Sequence, residues 1–239
     1  MIPKIIHYCW FGRSEKPKLA KKCIASWKKF CPDFEIREWN EDNFDYLAMP
    51  FMAEAYQAKK YAFVSDVTRL IVLEKYGGVY LDTDVELLKD ISPLMNDDGF
   101  IGFENDMYVN SGQAIACVPG HPVVSEMIAE YKKKHFLKPD GSREAVGCPH
   151  LNSDVMERFG LVRNGREQTV AGIHVYPAEY FNPRDSVTGR ITITPNTYSI
   201  HWYGKSWLPR SARIKCEIAG RFRRLFGKDC FDFLKRGRS

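Results

Sequence analysis

A predicted helix ends at two glycines and leads directly into a short apolar strand. This unit limits the fold classes open to the chain more than any other segment. Residues 62–76 carry apolar side chains three or four positions apart, which predicts an amphipathic helix. Gly77 and Gly78 end that helix, because glycine adopts the left-handed backbone conformation of a helix C-terminus without steric cost. Residues 79–81 then predict a buried strand. This succession is typical of α/β proteins.

The N-terminal region repeats strand and helix signals in the order that builds a parallel sheet. Residues 4–9 and 34–39 predict strands, and residues 17–31 between them predict an amphipathic helix. Further strands are predicted at residues 100–103, 113–118, 173–176, 191–194 and 198–202, and further helices at residues 51–60, 122–135 and 152–159. The 239 residues suit one such α/β domain, which we expect to span residues 1–209.

The composition is that of a globular protein. No apolar run approaches the roughly 18 residues that a membrane-spanning helix needs. The N-terminus lacks the layout of a secretory signal, so we expect an intracellular protein. The seven cysteines are scattered and include no C-x-x-C pair, which predicts reduced and mostly buried thiols.

Two carboxylates follow the strand after the double glycine. Asp82 and Asp84 stand one residue apart at its end, and like charges this close raise each other's pKa unless a cation neutralises them. Mg²⁺ or Mn²⁺ with diphosphate oxygens is a suitable neutraliser, because hard cations prefer oxygen ligands. Open α/β sheets also bind ligands at such strand ends. The alternative is a solvated turn with two exposed aspartates.

The helix before these carboxylates carries a second polar pair. Asp66 and Arg69 are three residues apart and therefore lie on one helix face. They form either a surface ion pair worth a few tenths of a kcal/mol or a pair that faces a ligand beside the carboxylates. The combination of S-D-x-x-R, a helix and G-G-x-Y-x-D-x-D is far more specific than either half.

With these motifs the chain resembles the glycosyltransferases of family 32, the group with the DXD sugar-binding region. That group includes fungal initiating mannosyltransferases, α-galactosyltransferases and bacterial capsule enzymes, and it is more distantly similar to clostridial glucosylating toxins. The resemblance runs from residues 2–10 through Asp84 and resumes at Asn110 and at residues 199–207. It implies a GT-A-like α/β domain with a Rossmann-like mixed sheet.

The resemblance also implies roles for twelve residues. The residues that it places at the reacting sugar and its diphosphate are Asp66, Arg69, Asp82, Asp84 and Asn110. The residues that it places around the nucleotide and the leaving diphosphate are Trp10, Tyr80, Ser206 and Trp207. Cys9 and Phe11 would complete the base pocket around Trp10. His201 would be the third metal ligand beside Asp82 and Asp84. The alternatives are a core histidine at position 201 and tryptophans that only pack.

The function that the resemblance implies is transfer of a hexose, with retention at the anomeric carbon, by a Mn²⁺- or Mg²⁺-dependent enzyme. The donor would be a nucleotide diphosphate sugar, with a UDP-sugar favoured over GDP-mannose. The acceptor would be a glycan or a lipid-linked saccharide, in surface polysaccharide synthesis. Two other readings stay open: a metal-dependent nucleotide-sugar phosphohydrolase and a non-catalytic sugar-nucleotide-binding module.

The C-terminal tail, residues 210–239, differs in charge from the rest of the chain. It carries a net charge of +7 and leaves the remainder at −2. Its apolar residues recur at helical spacing among basic ones, which predicts a basic amphipathic helix at an anionic membrane surface. A terminal helix packed on the domain is the alternative, and nucleic acid is disfavoured by the acidic body. We therefore expect a cytoplasmic protein, peripheral at the inner face of the membrane.

Overall fold

A seven-stranded mixed sheet forms the centre of the protein in a computed structural model that describes residues 1–138, 141–142, 147–185, 188–204, 215, 218–220, 222–224 and 227. In chain order the strands are β1 (Ile5–Cys9), β2 (Glu35–Trp39), β3 (Gly78–Tyr80), β4 (Val85–Leu87), β5 (Gly99–Gly102), β6 (Ile115–Cys117), β7 (Gln168–Val170), β8 (Ile173–Tyr176) and β9 (Ser199–His201). The sheet order is β2-β1-β3-β6-β5-β8-β7, and β4 and β9 form a separate pair. The expected α/β class with a Rossmann-like mixed sheet is confirmed.

Five helices cover the two faces of this sheet within the described residues. They are α1 (Lys18–Phe30), α2 (Pro50–Gln57), α3 (Tyr61–Tyr76), α4 (Pro122–Lys132) and α5 (Cys148–Arg158), and two short 3₁₀ turns lie at Ser92–Leu94 and Ala178–Tyr180. Apolar side chains of α1 join one buried cluster, and those of α2 to α5 join the other. Val79 and Tyr80 of β3 enter opposite clusters, as the alternation of side chains along a strand requires.

Strands β1, β2 and β3 are parallel, so their carboxyl ends lie at one edge of the sheet. Gly77 makes the turn into β3 possible, because its φ of 62° is unfavourable for other residues. His7 of β1 supports the same turn, because its Nε2 lies 2.9 Å from the Gly77 carbonyl oxygen. The chain therefore leaves β3 at this edge with Asp82 next in line.

The β4–β9 pair connects the end of the described domain to that edge. Val85 pairs with His201 in antiparallel register, and the Trp202 amide donates to the Asp84 carbonyl oxygen at 2.9 Å. The Trp27 indole of α1 donates to the Val85 carbonyl oxygen at 2.8 Å and ties the pair to the main domain. Gly204, which is 120 positions from Asp84 in sequence, thus contacts the Asp84 carboxylate after β3.

Some expectations from the sequence differ from the structure. Residues 191–194 were expected to be a strand, but Ile191 forms only an isolated bridge with Arg184, and β4 and β7 were not expected. Five of the cysteines lie in the described part of the chain, and all five are buried free thiols, as expected. No helix among the described residues is long and apolar enough to cross a bilayer. Most of the tail, residues 210–239, lies outside the described residues.

Candidate active site

Asp82 and Asp84 lie at the edge where β1, β2 and β3 end. The Asp82 amide donates to the Gly112 carbonyl oxygen at 3.0 Å, which fixes the chain as it leaves β3. The side chains of Asp82 and Asp84 are 28% and 22% exposed. Both are largely enclosed and hydrogen-bonded, so the alternative of a solvated turn with two exposed aspartates is wrong.

Arg69 connects the helix α3 to the first of these carboxylates. Its Nη2 lies 2.9 Å from Asp82 Oδ1, and its Nη1 lies 3.0 Å from Asp66 Oδ1. The Tyr80 hydroxyl donates to Asp82 Oδ1 at 2.9 Å, and the guanidinium lies over the Tyr80 ring. The Arg69 side chain is only 2% exposed. The pair Asp66–Arg69 is therefore a buried pair at the site and not a surface ion pair.

Burial determines the protonation of these groups. It raises the pKa of Asp66 to about 6, with the Asp82 charge adding to the effect and Arg69 opposing it. Burial also raises the pKa of Asp82, with Arg69 opposing and Asp84 adding to it. Burial lowers the pKa of Arg69, but Asp82, Tyr80 and Asp66 together outweigh it and raise that pKa well above its ordinary value. Arg69 is thus a permanent cation between two carboxyl groups.

Asp84 has different partners from Asp82. His201 Nε2 lies 3.3 Å from Asp84 Oδ1, and the Gly204 amide donates to Asp84 Oδ2 at 2.7 Å. Burial opposes ionisation, but His201 and the Gly204 amide outweigh it and lower the pKa of Asp84. Burial lowers the pKa of His201, but the charge and hydrogen bond of Asp84 together with the Asp82 charge outweigh it and raise that pKa above the ordinary value. Asp84 is therefore the more readily ionised of the two aspartates.

The donor set fits a divalent cation. Asp82, Asp84 and His201 each offer a ligand atom, and the three atoms lie within 4.8 Å of one another. His201 Nδ1 is buried and has no hydrogen-bond partner among the described residues. Two carboxylates and one imidazole are a combination that Mn²⁺ accepts readily and Mg²⁺ accepts through its oxygens. His201 is therefore suited to the predicted role of third ligand.

The loop after Asn110 forms the wall of the Asp82 pocket. A Cβ atom at Gly112 would lie 2.3 Å from Asp82 Oδ2, so only glycine leaves room for the carboxylate. Asn110 Oδ1 accepts from the Gly112 amide at 2.7 Å, and Ser111 Oγ lies 3.2 Å from Arg69 Nη1. Asn110 was predicted from the resemblance, whereas Gly112 was missed because a lone glycine in a loop gives no motif.

A second group of polar side chains borders the site and was also missed. Glu104 accepts from the Tyr203 hydroxyl and from Asn110 Nδ2, both at 3.2 Å. Asn182 Nδ2 donates to the Tyr203 hydroxyl at 2.6 Å, and the Tyr203 ring stacks on His201 with centroids 4.3 Å apart. These residues are scattered in sequence, so no short pattern could indicate that they meet.

The predicted nucleotide residues are only partly accounted for. Cys9 and Phe11 are buried in the core, so of the three residues expected at the base pocket only Trp10 has a partly exposed ring. The Trp10 indole donates to the Ser14 carbonyl oxygen at 2.7 Å and has no contact with the carboxylates among the described interactions. Tyr80 bonds to Asp82. The two remaining predicted residues, Ser206 and Trp207, lie outside the described residues.

The part of the chain that holds these carboxylates is similar to known proteins. Residues 17–101 match the family model described as "Glycosyltransferase sugar-binding region containing DXD motif". This part of the chain is therefore similar to the sugar-binding region of DXD glycosyltransferases. The matched range includes Asp66, Arg69, Asp82 and Asp84, so the family resemblance expected from the sequence is confirmed.

Two fungal proteins are similar to part of this chain. "Inositol phosphoceramide mannosyltransferase 3" of Schizosaccharomyces pombe is 27% identical over 143 residues, covering 56% of this chain and 38% of the relative. "Mannosyl phosphorylinositol ceramide synthase CSH1" of Saccharomyces cerevisiae is 26% identical over 189 residues, covering 75% and 49%. The chain thus spans less than half the length of these curated relatives.

A solved structure of galactosyltransferase LgtC with donor and acceptor sugar analogues is 15% identical, covers 98% of this chain and 95% of that one, and has a TM-score of 0.45.

Proposed function

We propose that the protein transfers a hexose from a nucleotide diphosphate sugar to a saccharide acceptor. The observation that carries the proposal is the convergence of Asp82, Asp84 and His201 beside the buried pair Asp66–Arg69. The cluster offers ligands for a cation that would bind a diphosphate, and the pair offers charged groups that can hydrogen-bond sugar hydroxyls. A family model for a glycosyltransferase sugar-binding region covers four of these five residues.

Each group would have a distinct part in the reaction. A divalent cation held by Asp82, Asp84 and His201 would neutralise charge that develops on the leaving nucleoside diphosphate. Arg69 holds the Asp82 carboxylate in place and lowers the cost of negative charge nearby. Asp66 and Asn110 would orient the donor sugar, and we propose retention at the anomeric carbon, as the family resemblance implies.

The remaining nucleotide contacts are proposals of the same kind. Trp10 and Tyr80 would lie along the nucleotide, and Ser206 and Trp207 would donate to the leaving diphosphate. We keep a UDP-sugar as the favoured donor, with GDP-mannose as the second candidate. The printed names of the two fungal relatives, which describe mannose transfer to a ceramide lipid, support a donor screen that includes GDP-mannose and an acceptor carried by a lipid.

A donor screen tests the proposal. The full chain is incubated with Mn²⁺ and UDP-glucose, UDP-galactose or GDP-mannose, and nucleotide release is measured with and without a saccharide acceptor. Release that the acceptor stimulates supports transfer. Release that no acceptor stimulates favours the phosphohydrolase, and donor binding without release favours the non-catalytic module.

A matched pair of variants controls that screen. Asp84→Asn removes the charge of one proposed ligand and should abolish release, whereas Asp42→Asn changes an aspartate that is 69% exposed and should leave it intact. Wild-type release by the Asp84→Asn variant would contradict the assignment. Proton NMR of the product's anomeric signal checks retention, and an inverted product would exclude it.

We also propose that the tail, residues 210–239, holds the protein at the inner, cytoplasmic face of the membrane near surface polysaccharide synthesis. Ile218 and Phe222 of the described tail residues are 50% and 48% exposed and lie four residues apart, a spacing that places them on one helix face. Flotation with anionic liposomes compares wild type with the double variant Ile218→Glu/Phe222→Glu. Val162→Glu, at another exposed apolar residue, is the control. Equal flotation of all three proteins would remove the membrane proposal.

A further inference from the structure

A pocket of about 420 Å³ opens beside the candidate active site. Its lining includes Glu104, Asn182, Arg184, Asp185, Thr192 and Thr194. The volume falls within the range of about 300–1,000 Å³ that is usual for small-ligand pockets. Apart from Pro183, the lining residues are polar, which suits a ligand with many hydroxyl groups.

The pocket is one layer of side chains away from Asp84 and His201. Glu104 accepts from the Tyr203 hydroxyl at 3.2 Å, and Tyr203 stacks on His201. Arg184 Nη1 donates to the Trp202 carbonyl oxygen at 2.7 Å, and the Trp202 amide bonds to the Asp84 carbonyl oxygen. A ligand in the pocket would therefore lie next to the proposed donor site.

One polar atom of the lining, on Asn182, lacks a hydrogen-bond partner among the described residues. Asn182 is 9% exposed, and its Nδ2 donates to the Glu104 carbonyl oxygen at 2.9 Å and to the Tyr203 hydroxyl. Its Oδ1 is buried and has no partner among the described residues. A buried acceptor without a donor is costly, and the hydroxyl of a ligand would satisfy it.

The charge of the lining selects among ligands. Glu104 and Glu179 contribute two carboxylates whose described hydrogen-bond donors are uncharged. Arg184 is the one cation among the lining residues, and its guanidinium already donates to the Trp202 carbonyl oxygen. The negative charge of such a lining repels phosphate. The same carboxylates attract hydroxyl donors, because a carboxylate oxygen accepts more than one hydrogen bond. Each oxygen of Glu104 has one donor at present and can accept another.

We propose that this pocket binds the acceptor of the transfer reaction, and that the acceptor presents an uncharged saccharide end and not a phosphorylated one. That the ligand is the acceptor of a transfer reaction rests on the proposed function, whereas the preference for an uncharged saccharide rests on the pocket alone. It separates this chain from its two fungal relatives, whose printed names describe phosphoinositol lipids.

The test fills the pocket without touching the proposed donor residues. Thr192 is an exposed lining residue, so Thr192→Trp should block the pocket while the fold is retained. Ile193 is next in sequence, is 54% exposed and is not part of the lining, so Ile193→Trp is the matched control. Saturation-transfer NMR measures binding of methyl α-mannoside, methyl β-galactoside and myo-inositol 1-phosphate to the full chain, with diamagnetic Mg²⁺ and nucleoside diphosphate present.

We expect wild type and Ile193→Trp to bind at least one neutral glycoside, and Thr192→Trp to lose that signal. In the turnover assay Thr192→Trp should raise the acceptor KM about tenfold or more, with nucleotide release in the absence of acceptor unchanged. Equal glycoside binding by Thr192→Trp and wild type would overturn the pocket assignment, as would no glycoside binding by wild type. Stronger binding of myo-inositol 1-phosphate would overturn the charge preference. Because binding is read without turnover, absence of glycosyl transfer would contradict the proposed function alone.

Discussion

The Arg69 guanidinium of helix α3 lies 2.9 Å from the Asp82 carboxylate that follows strand β3. This contact joins the two sequence motifs that the double glycine separates. Since Arg69 also binds Asp66 at 3.0 Å and is almost fully buried, one cation holds two carboxyl groups in the candidate site. The orientation of Asp82 therefore depends on the packing of α3 against the sheet.

Replacing Arg69 should affect both stability and activity. In Arg69→Met, Asp66 and Asp82 lose their buried counter-ion, and breaking a buried pair in this way costs about 3–5 kcal/mol. Arg158→Met is the control, because Arg158 is 47% exposed and pairs with Glu126 and Glu130 at the surface, where such pairs contribute about 1 kcal/mol or less. Urea unfolding measures both. Equal losses for the two variants would contradict a buried role for Arg69.

Gly112→Ala should displace the Asp82 carboxylate. The added Cβ would lie 2.3 Å from Asp82 Oδ2, and relieving such overpacking costs about 1–3 kcal/mol. We expect weaker Mn²⁺ binding in this variant together with a modest loss of stability. Gly147→Ala is the control, since its new Cβ would meet Pro149 at an ordinary 3.4 Å. Calorimetric titration with Mn²⁺ and UDP or GDP reads the affinity, and an unchanged value in Gly112→Ala would show that the contact does not constrain Asp82.

His7 should make the protein less stable in acid. Burial lowers the pKa of His7 from 6.5 to about 4 in the folded protein. His7 therefore binds a proton below about pH 6.5 in the unfolded chain but only below about pH 4 in the folded chain. The free energy of unfolding is unaffected by this difference above about pH 6.5 and falls by about 3 kcal/mol as the pH drops from 6.5 to 4.

The variant His7→Gln isolates this contribution. Glutamine does not titrate, and its amide can still donate to the Gly77 carbonyl oxygen that His7 contacts. Urea unfolding between about pH 7.5 and pH 4.5 should show a shallower decline for His7→Gln than for wild type. His150→Gln, at an exposed side chain of α5, should keep the wild-type slope. Parallel curves for wild type and His7→Gln would refute the role of His7.

Local signals account for the parts of the fold that the sequence predicted well. The helix expected at residues 62–76 is Tyr61–Tyr76, and the strand expected at residues 79–81 is Gly78–Tyr80. Apolar periodicity predicts the helix, and the glycine pair marks the boundary between the helix and the strand. The neighbourhood of Asp66, Arg69, Asp82 and Asp84 follows from this unit, because all four lie within about twenty residues of chain.

Long-range contacts account for what the sequence did not reveal. Strand β4 is three residues long and carries too little periodicity to be recognised, yet its pairing with β9 brings His201 to Asp84. Only the family resemblance indicated His201. Gly112, Glu104 and Asn182 have no motif, because their roles come from distance and not from spacing. Residues 191–194 have strand-like composition, but the Thr192 amide bonds to the Pro183 carbonyl oxygen in a loop.

The proposed function depends most on Asp82, Asp84 and His201 acting as one cation site. Electron paramagnetic resonance of Mn²⁺, titrated into the full chain with UDP or GDP, measures free ion directly and requires no turnover. We predict one tight site in wild type and at least about tenfold weaker binding in Asp84→Asn and in His201→Ala, with Asp42→Asn unchanged. Wild-type affinity in both site variants would contradict a cation site at Asp82, Asp84 and His201.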